Sequence, residues 1–251
     1  QSVALTWEAF WPRDRIQQLG QIMTLLSANT DIMVRTLLLV FAFSYFTNEA
    51  AKFGTVALAA THIVLQLMAF TAFFLDGFAY VAESQAGRSY GARDRAQFDL
   101  VMYRTTILAA IASVFLGLAV LLVGEYMVMV LTDIDEVLVM ASTLLPICAV
   151  YVVASFPAFQ LDGMFIGTSH TRHMRDASAL SLGVFLVSIW LLGDWLALEG
   201  LWWAMVVFVI ARALSLWLYF PKVQRPFVDS ARAPPSTTST EWYECINNCP
   251  P

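Results

Sequence analysis

Two carboxylates stand where a membrane protein has little room for them. Leu75-Asp76-Gly77-Phe78-Ala79-Tyr80-Val81-Ala82-Glu83 closes a long apolar run, and Asp76 and Glu83 are seven residues apart. On a helix they share one face, about 10 Å apart along the axis. An ionisable side chain at membrane depth is costly, so it faces a bundle interior, a partner or a water-filled path. A second Leu161-Asp162-Gly163 ends another apolar run. Chemistry at these acids would be the exchange of a cation or a proton, in a setting where backbone and side-chain oxygens both serve.

The other polar residues inside apolar stretches admit two readings each. Asp31 and Arg35 are four apart at the start of the first span, which suits either a helix-end ion pair or a gate. Asp76 lies among Phe70, Phe73, Phe74 and Phe78, and either serves a cavity or neutralises Arg35 or Arg212. Glu83 lies nearer the cytoplasmic end of its span, with Arg88 of the following connection within reach. Arg212 is mid-span in Val209-Ile210-Ala211-Arg212-Ala213 and needs an acidic or carbonyl partner. His62 suits a hydrogen-bonded core position or a proton relay. No second His or Cys stands at metal-ligand spacing from it, so no metal site is expected. Neither a nucleophile–base pattern nor a phosphate loop is present, and enzyme chemistry has nothing to stand on. No cofactor is implied.

The elements that must hold these residues are membrane helices. The 251 residues are 59% hydrophobic and 13% charged, with mean hydropathy +0.68; soluble domains carry about 25% charge. The net charge of −5 decides little, because placement matters more. No basic patch with interleaved aromatics points to nucleic acid. Of the three cysteines, Cys148 is apolar packing, and Cys245 with Cys249 lacks partner ligands. The chain begins at Gln1 and no signal peptide precedes the first span, so a fragment of a longer protein is expected.

Six spans are expected, at 32–51, 56–82, 105–123, 137–166, 177–192 and 200–220, each near the length a bilayer requires. The fourth carries Pro146 and Pro157 and is expected to kink or break. In residues 1–30, Ile16, Leu19, Ile22, Met23 and Leu26 recur at helical spacing between polar residues, which reads as an amphipathic interfacial helix. Asn29 would then cap the next helix, with Asp31 in its first turn. Arginines concentrate in connections of one parity (Arg13, Arg15, Arg88, Arg93, Arg95, Arg172, Arg175), and acids in the other (Glu125, Asp133, Asp135, Glu136, Asp194, Glu199). Both termini are therefore expected in the cytoplasm of a multi-pass inner or plasma membrane protein. Residues 224–251 are polar and Pro/Ser/Thr-rich and are expected to be a disordered cytoplasmic tail.

Asn29-Thr30-Asp31-Ile32 with Arg35-Thr36, then Leu58-Ala59-Ala60, then Leu75-Asp76-Gly77-Phe78-Ala79 with Glu83 and Gly87, resembles the second half of the multidrug and toxic compound extrusion (MATE) transporters. The resemblance continues through Pro157, Leu161-Asp162-Gly163, Gly167, Met174-Arg175, Gly200-Leu201-Trp202 and Arg212, over residues 15–223. It is similar to the DinF-like, DNA-damage-inducible branch. This implies an all-α fold of twelve spans in two six-helix lobes, of which this chain is the C-terminal lobe (31–223), with 1–30 as the interlobe connection. It also implies export of organic cations by alternating access, coupled to H⁺ or Na⁺, together with a missing N-terminal six-helix lobe and a lipid environment.

On that footing Asp76, Asp162 and Glu83 are the candidates for substrate or ion coupling. Asp31, Arg35, Thr61, His62 and Arg212 are candidates for cavity or gate, and Met68, Phe70, Phe73, Phe74 and Phe159 for an adaptable apolar wall. Thr61 stands where the branch usually has Asn, and Ala50 where it usually has Gly. The alternatives are a lipid-linked-precursor flippase of the same superfamily and a non-transporting structural membrane subunit. Six further spans encoded upstream of Gln1 would separate the transporter readings from the last.

Overall fold

The computed structural model describes residues 19–232 and is all-helical. Its elements are α1 (Leu19–Ala51), α2 (Thr55–Gly91), α3 (Arg95–Leu131), α4 (Asp135–Gly167) and α5 (Thr171–Arg232). Backbone at Ala197 leaves the helical region (φ 47°, ψ −127°), and α5 is thereby two limbs. Six segments are long and apolar enough to cross a membrane: Leu26–Ala51, Thr55–Gly91, Arg95–Leu131, Asp135–Gly167, Thr171–Leu192 and Ala197–Gln224. The six expected spans are all present, and several run well past their expected ends.

The extra length has a local cause. Counting apolar residues measures the hydrocarbon layer, whereas helical hydrogen bonding continues through polar residues until something stops it. Thus α2 continues from Ala82 to Gly91 through Glu83, Gly87 and Arg88. Just beyond, Asp94 accepts a hydrogen bond from the Gln97 N–H at 3.0 Å and starts α3 ten residues before the expected 105.

Three expectations of local structure are corrected. Asn29 caps nothing: α1 runs unbroken through it, and Thr30 donates to the Leu26 carbonyl at 2.8 Å, as a residue inside a helix does. The fourth span, expected to kink or break, does not break. Pro146 and Pro157 both sit inside continuous α4, eleven residues or about three turns apart and so on one face. Past residue 224 the backbone stays helical to Arg232. The remainder of the expected tail, with Cys245 and Cys249, and residues 1–18 lie outside the described residues.

At the centre is α4, packed against α2, α3 and α5, while α1 packs mainly against α5. The contact of α4 with α2 is close enough to need glycine. A Cβ on Gly163 would lie 2.2 Å from the Ala79 carbonyl oxygen, and one on Gly167 2.2 Å from that of Glu83. Two glycines four apart let the backbones meet, which is how membrane helices associate where burial of apolar area offers no drive between them. Apolar packing forms two clusters. The larger includes Phe46, Leu144, Trp202, Met205 and Phe208, and the smaller includes Phe98, Phe165, Met174 and Leu216. Arg212 falls on α5 between Phe208 and Leu216, at the seam.

Candidate functional site

A cavity of about 840 Å³ opens on the face formed by α1, α2, α4 and the second limb of α5. Its charged and imidazole lining is Arg35, His62, Asp76, Glu83, Asp162 and Arg212, with Thr36, Gln66, Tyr80 and Tyr151 adding uncharged polar groups. Six of the eight sequence candidates therefore meet on one surface, although they come from four helices.

Their pairings differ from those that spacing suggested. Arg35 donates to Asp162 Oδ2 at 2.7 Å, and Arg212 donates to the same oxygen. One carboxylate thus carries two guanidiniums, all three side chains being 16% exposed or less. Asp162 Oδ1 and both arginine Nε atoms are buried without hydrogen-bond partners. Two cations on one anion leave a positive remainder of one charge in a low-dielectric setting. Asp76 lies within electrostatic range of all three groups, yet among the described residues it forms no hydrogen bond and no ion pair. It is not the direct partner of Arg35 or Arg212. Glu83 lines the same cavity and likewise makes no ion pair among the described residues, with Arg88 or any other group.

Asp31 does not pair with Arg35 either. Its Oδ1 accepts from Arg175 at 2.7 Å and its Oδ2 from the Thr171 hydroxyl at 3.3 Å, tying α1 to the start of α5. Arg175 also donates to Asp176 at 3.0 and 2.9 Å. The i,i+4 geometry was available, but a helix-to-helix partner won for each residue. Asp31 is 4% exposed and lies away from the cavity, at the end of the bundle where α4 turns into α5.

Two other candidates are placed differently from one another. Thr61 is fully buried in packing, outside the cavity, and its hydroxyl has no partner among the described residues. The neighbouring His62 is exposed on the cavity wall rather than sequestered in a core. Of the apolar wall, Met68, Phe73 and Phe159 line the cavity. Phe70 and Phe74 do not; they meet edge to face at 5.2 Å on the outside.

Some polar contacts were not anticipated. Gln160 donates to Thr105 and joins α4 to α3 in the interior. At the Asp31 end, Tyr90 meets His170 edge to face and the rings of His170, His173 and Tyr219 stack in turn, with Lys222 4.6 Å above the last. Burial there pushes the His170 imidazole below its ordinary value, partly opposed by its contact with the Thr168 carbonyl. The spacing of His170 and His173, three apart across a helix start, was the available signal. Tyr80 was also missed, though its seven-residue interval from Phe73 matches that of Glu83 from Asp76.

Residues 32–193 match the sequence profile of the family described as MatE. The DNA damage-inducible protein F of Escherichia coli (strain K12) is 34% identical over 197 residues, 78% of this chain and 43% of that protein. Protein DETOXIFICATION 42 of Arabidopsis thaliana is 23% identical over 191 residues, 74% of this chain and 36% of that protein. Among solved structures, the Vibrio cholerae MATE transporter VcmN in its bent form superposes with a TM-score of 0.77 at 20% identity, covering 86% of this chain and 49% of that one. A MOP superfamily transporter from Pyrococcus furiosus gives 0.68 at 17% identity, over 78% and 44%. At these identities the structural likeness establishes the fold. The chain spans less than half the length of each of these relatives.

Proposed function

The chain belongs to the MatE family, and from that membership we propose that it is the C-terminal lobe of a cation-coupled multidrug efflux antiporter exporting organic cations. The observation that carries this reading is the pair of carboxylates without an ion pair among the described residues, Asp76 and Glu83, on the wall of a cavity that also presents aromatic and aliphatic side chains and the Arg35–Asp162–Arg212 cluster. An organic cation needs an apolar surface for its body and an anion for its charge. A proton or Na⁺ needs the same anion. Competition for one carboxylate is the simplest basis of antiport, because occupancy by either ligand excludes the other.

Asp162 has a different part. Held by Arg35 and Arg212, it fixes α1, α4 and α5 to one another and builds the rigid wall against which Asp76 works. Alternating access then requires a second lobe moving against this one around the central site. Both termini are cytoplasmic, by the arginine asymmetry of the connections.

The test is resistance to cationic dyes in an efflux-deficient host. The full-length protein confers it, whereas residues 1–251 alone do not, because one lobe cannot alternate. No resistance from well-expressed full-length protein would overturn the reading. Orientation is checked separately with single cysteines at exposed connections, in a background lacking Cys245 and Cys249. Cysteines replacing Ala92 and Ser169 react only from the cytoplasm and one replacing Asp133 only from outside; the reverse pattern rejects the topology.

A further inference from the structure

The face of α2 that lines the cavity repeats itself. Phe73 stands three residues before Asp76, and Tyr80 stands three residues before Glu83, so an aromatic-x-x-acid unit recurs at an interval of seven. Residues three apart on a helix are neighbours, so each carboxylate has a ring beside it. An interval of seven brings the second unit onto the same face about 10 Å along the axis.

All four side chains line the one cavity. The rings are open to it, Phe73 at 75% exposure and Tyr80 at 68%. Neither Asp76 nor Glu83 has a hydrogen bond or an ion pair among the described residues. Across from the strip's midpoint, where Gly163 backs onto Ala79, Asp162 lines the same cavity. Its charge is met by Arg35 and Arg212 on the same wall, so the two α2 carboxylates, and not Asp162, are the anions open to a ligand. A carboxylate beside an aromatic face is a half-site for an ammonium or amidinium group, the anion supplying charge and the ring its negative quadrupole. Two such half-sites in register form one elongated site.

We propose that this cavity selects elongated dications whose two cationic groups stand about 10 Å apart, one seated at Phe73 and Asp76, the other at Tyr80 and Glu83. The proposal rests on the cation-export reading and names the substrate class within it. A single cation fills either half-site and gains nothing from the other. A dication of the right length makes its second contact intramolecularly, at high effective concentration.

The test uses full-length protein in lipid nanodiscs and displacement of a bound monocationic dye. The competitors are tetramethylammonium and bis(trimethylammonium)alkanes of increasing chain length. With carbon–carbon bonds of about 1.5 Å, an extended chain of about seven methylenes matches the strip. Affinity peaks near that length, about tenfold above tetramethylammonium, and falls for shorter and longer chains. Asp76→Asn and Glu83→Gln each erase the length optimum, bringing the best dication down to the affinity of tetramethylammonium for the same variant, and Phe73→Leu or Tyr80→Leu blunts it. The length series on the unsubstituted protein decides the matter even where a variant folds poorly. Monocation binding with no length optimum overturns the proposal and leaves cation export standing. Failure of every cation to displace or bind overturns both.

Discussion

The two Leu-Asp-Gly tripeptides of this chain are identical in sequence and opposite in surroundings. At Leu161-Asp162-Gly163 the acid is buried under two guanidiniums, and the glycine is pressed onto the α2 backbone with no room for a Cβ. At Leu75-Asp76-Gly77 the acid faces a cavity without a direct partner, and a Cβ on the glycine would meet nothing within 4 Å. The leucines alone behave alike, both buried. The difference comes from position in the bundle. α4 is central and packs closely on α2, α3 and α5, whereas α2 packs chiefly on α4 and α3 and leaves a further face to the cavity. A motif states which groups are available; the packing around it decides whether they serve as structure or as a site.

The contrast can be broken most severely at Asp162. Removing its carboxylate as Asp162→Ala strands two buried arginines, and loss of one partner from such a pair costs about 3–5 kcal/mol. Thermal unfolding in detergent should fall accordingly, with loss of monodisperse protein. Adding Arg212→Met to that variant removes one stranded charge and should recover part of the loss. A stable Asp162→Ala protein would mean the triad is not structural.

The glycines come next. Gly163→Ala places a methyl group against a backbone carbonyl that cannot rotate away, so α2 and α4 must separate. Overpacking of this kind costs about 1–3 kcal/mol, and the backbone obstacle puts it at the upper end. Gly77→Ala is the matched control. It meets open space in the middle of a helix and should be neutral or stabilising by up to about 1 kcal/mol. Measured side by side, the melting temperature should fall for Gly163→Ala and hold or rise for Gly77→Ala; equal shifts would remove the distinction between the motifs.

Much of this was legible in the sequence, and what was not has a definite physical origin. The six spans and the acids at membrane depth follow from hydropathy and from the cost of burying charge. Helix limits were set too short because hydropathy reports the bilayer, while caps such as Asp94 report the helix. The ion pairs were misassigned for another reason. Asp31 and Arg35 satisfy an i,i+4 rule that holds for a helix standing alone, but Asp31 joins Arg175 across 144 residues and Arg35 joins Asp162 across 127. Such partners depend on which helices pack together. Gly163 and Gly167, four apart, were a signal of a close helix contact, but their spacing does not say which helix supplies it.

The smallest effect on stability is expected at Asp76, and it is the one that matters most for function. Asp76→Asn is isosteric and leaves the Arg35–Asp162–Arg212 triad untouched. Full-length protein carrying Asp76→Asn or Asp162→Asn should be compared for monodisperse yield and for cationic-dye efflux at several pH values. Asp76→Asn should give normal yield with lowered or pH-altered efflux, and Asp162→Asn lost protein. Normal yield with unchanged efflux at every pH for Asp76→Asn would contradict it, as would lost yield at Asp76 beside normal yield at Asp162.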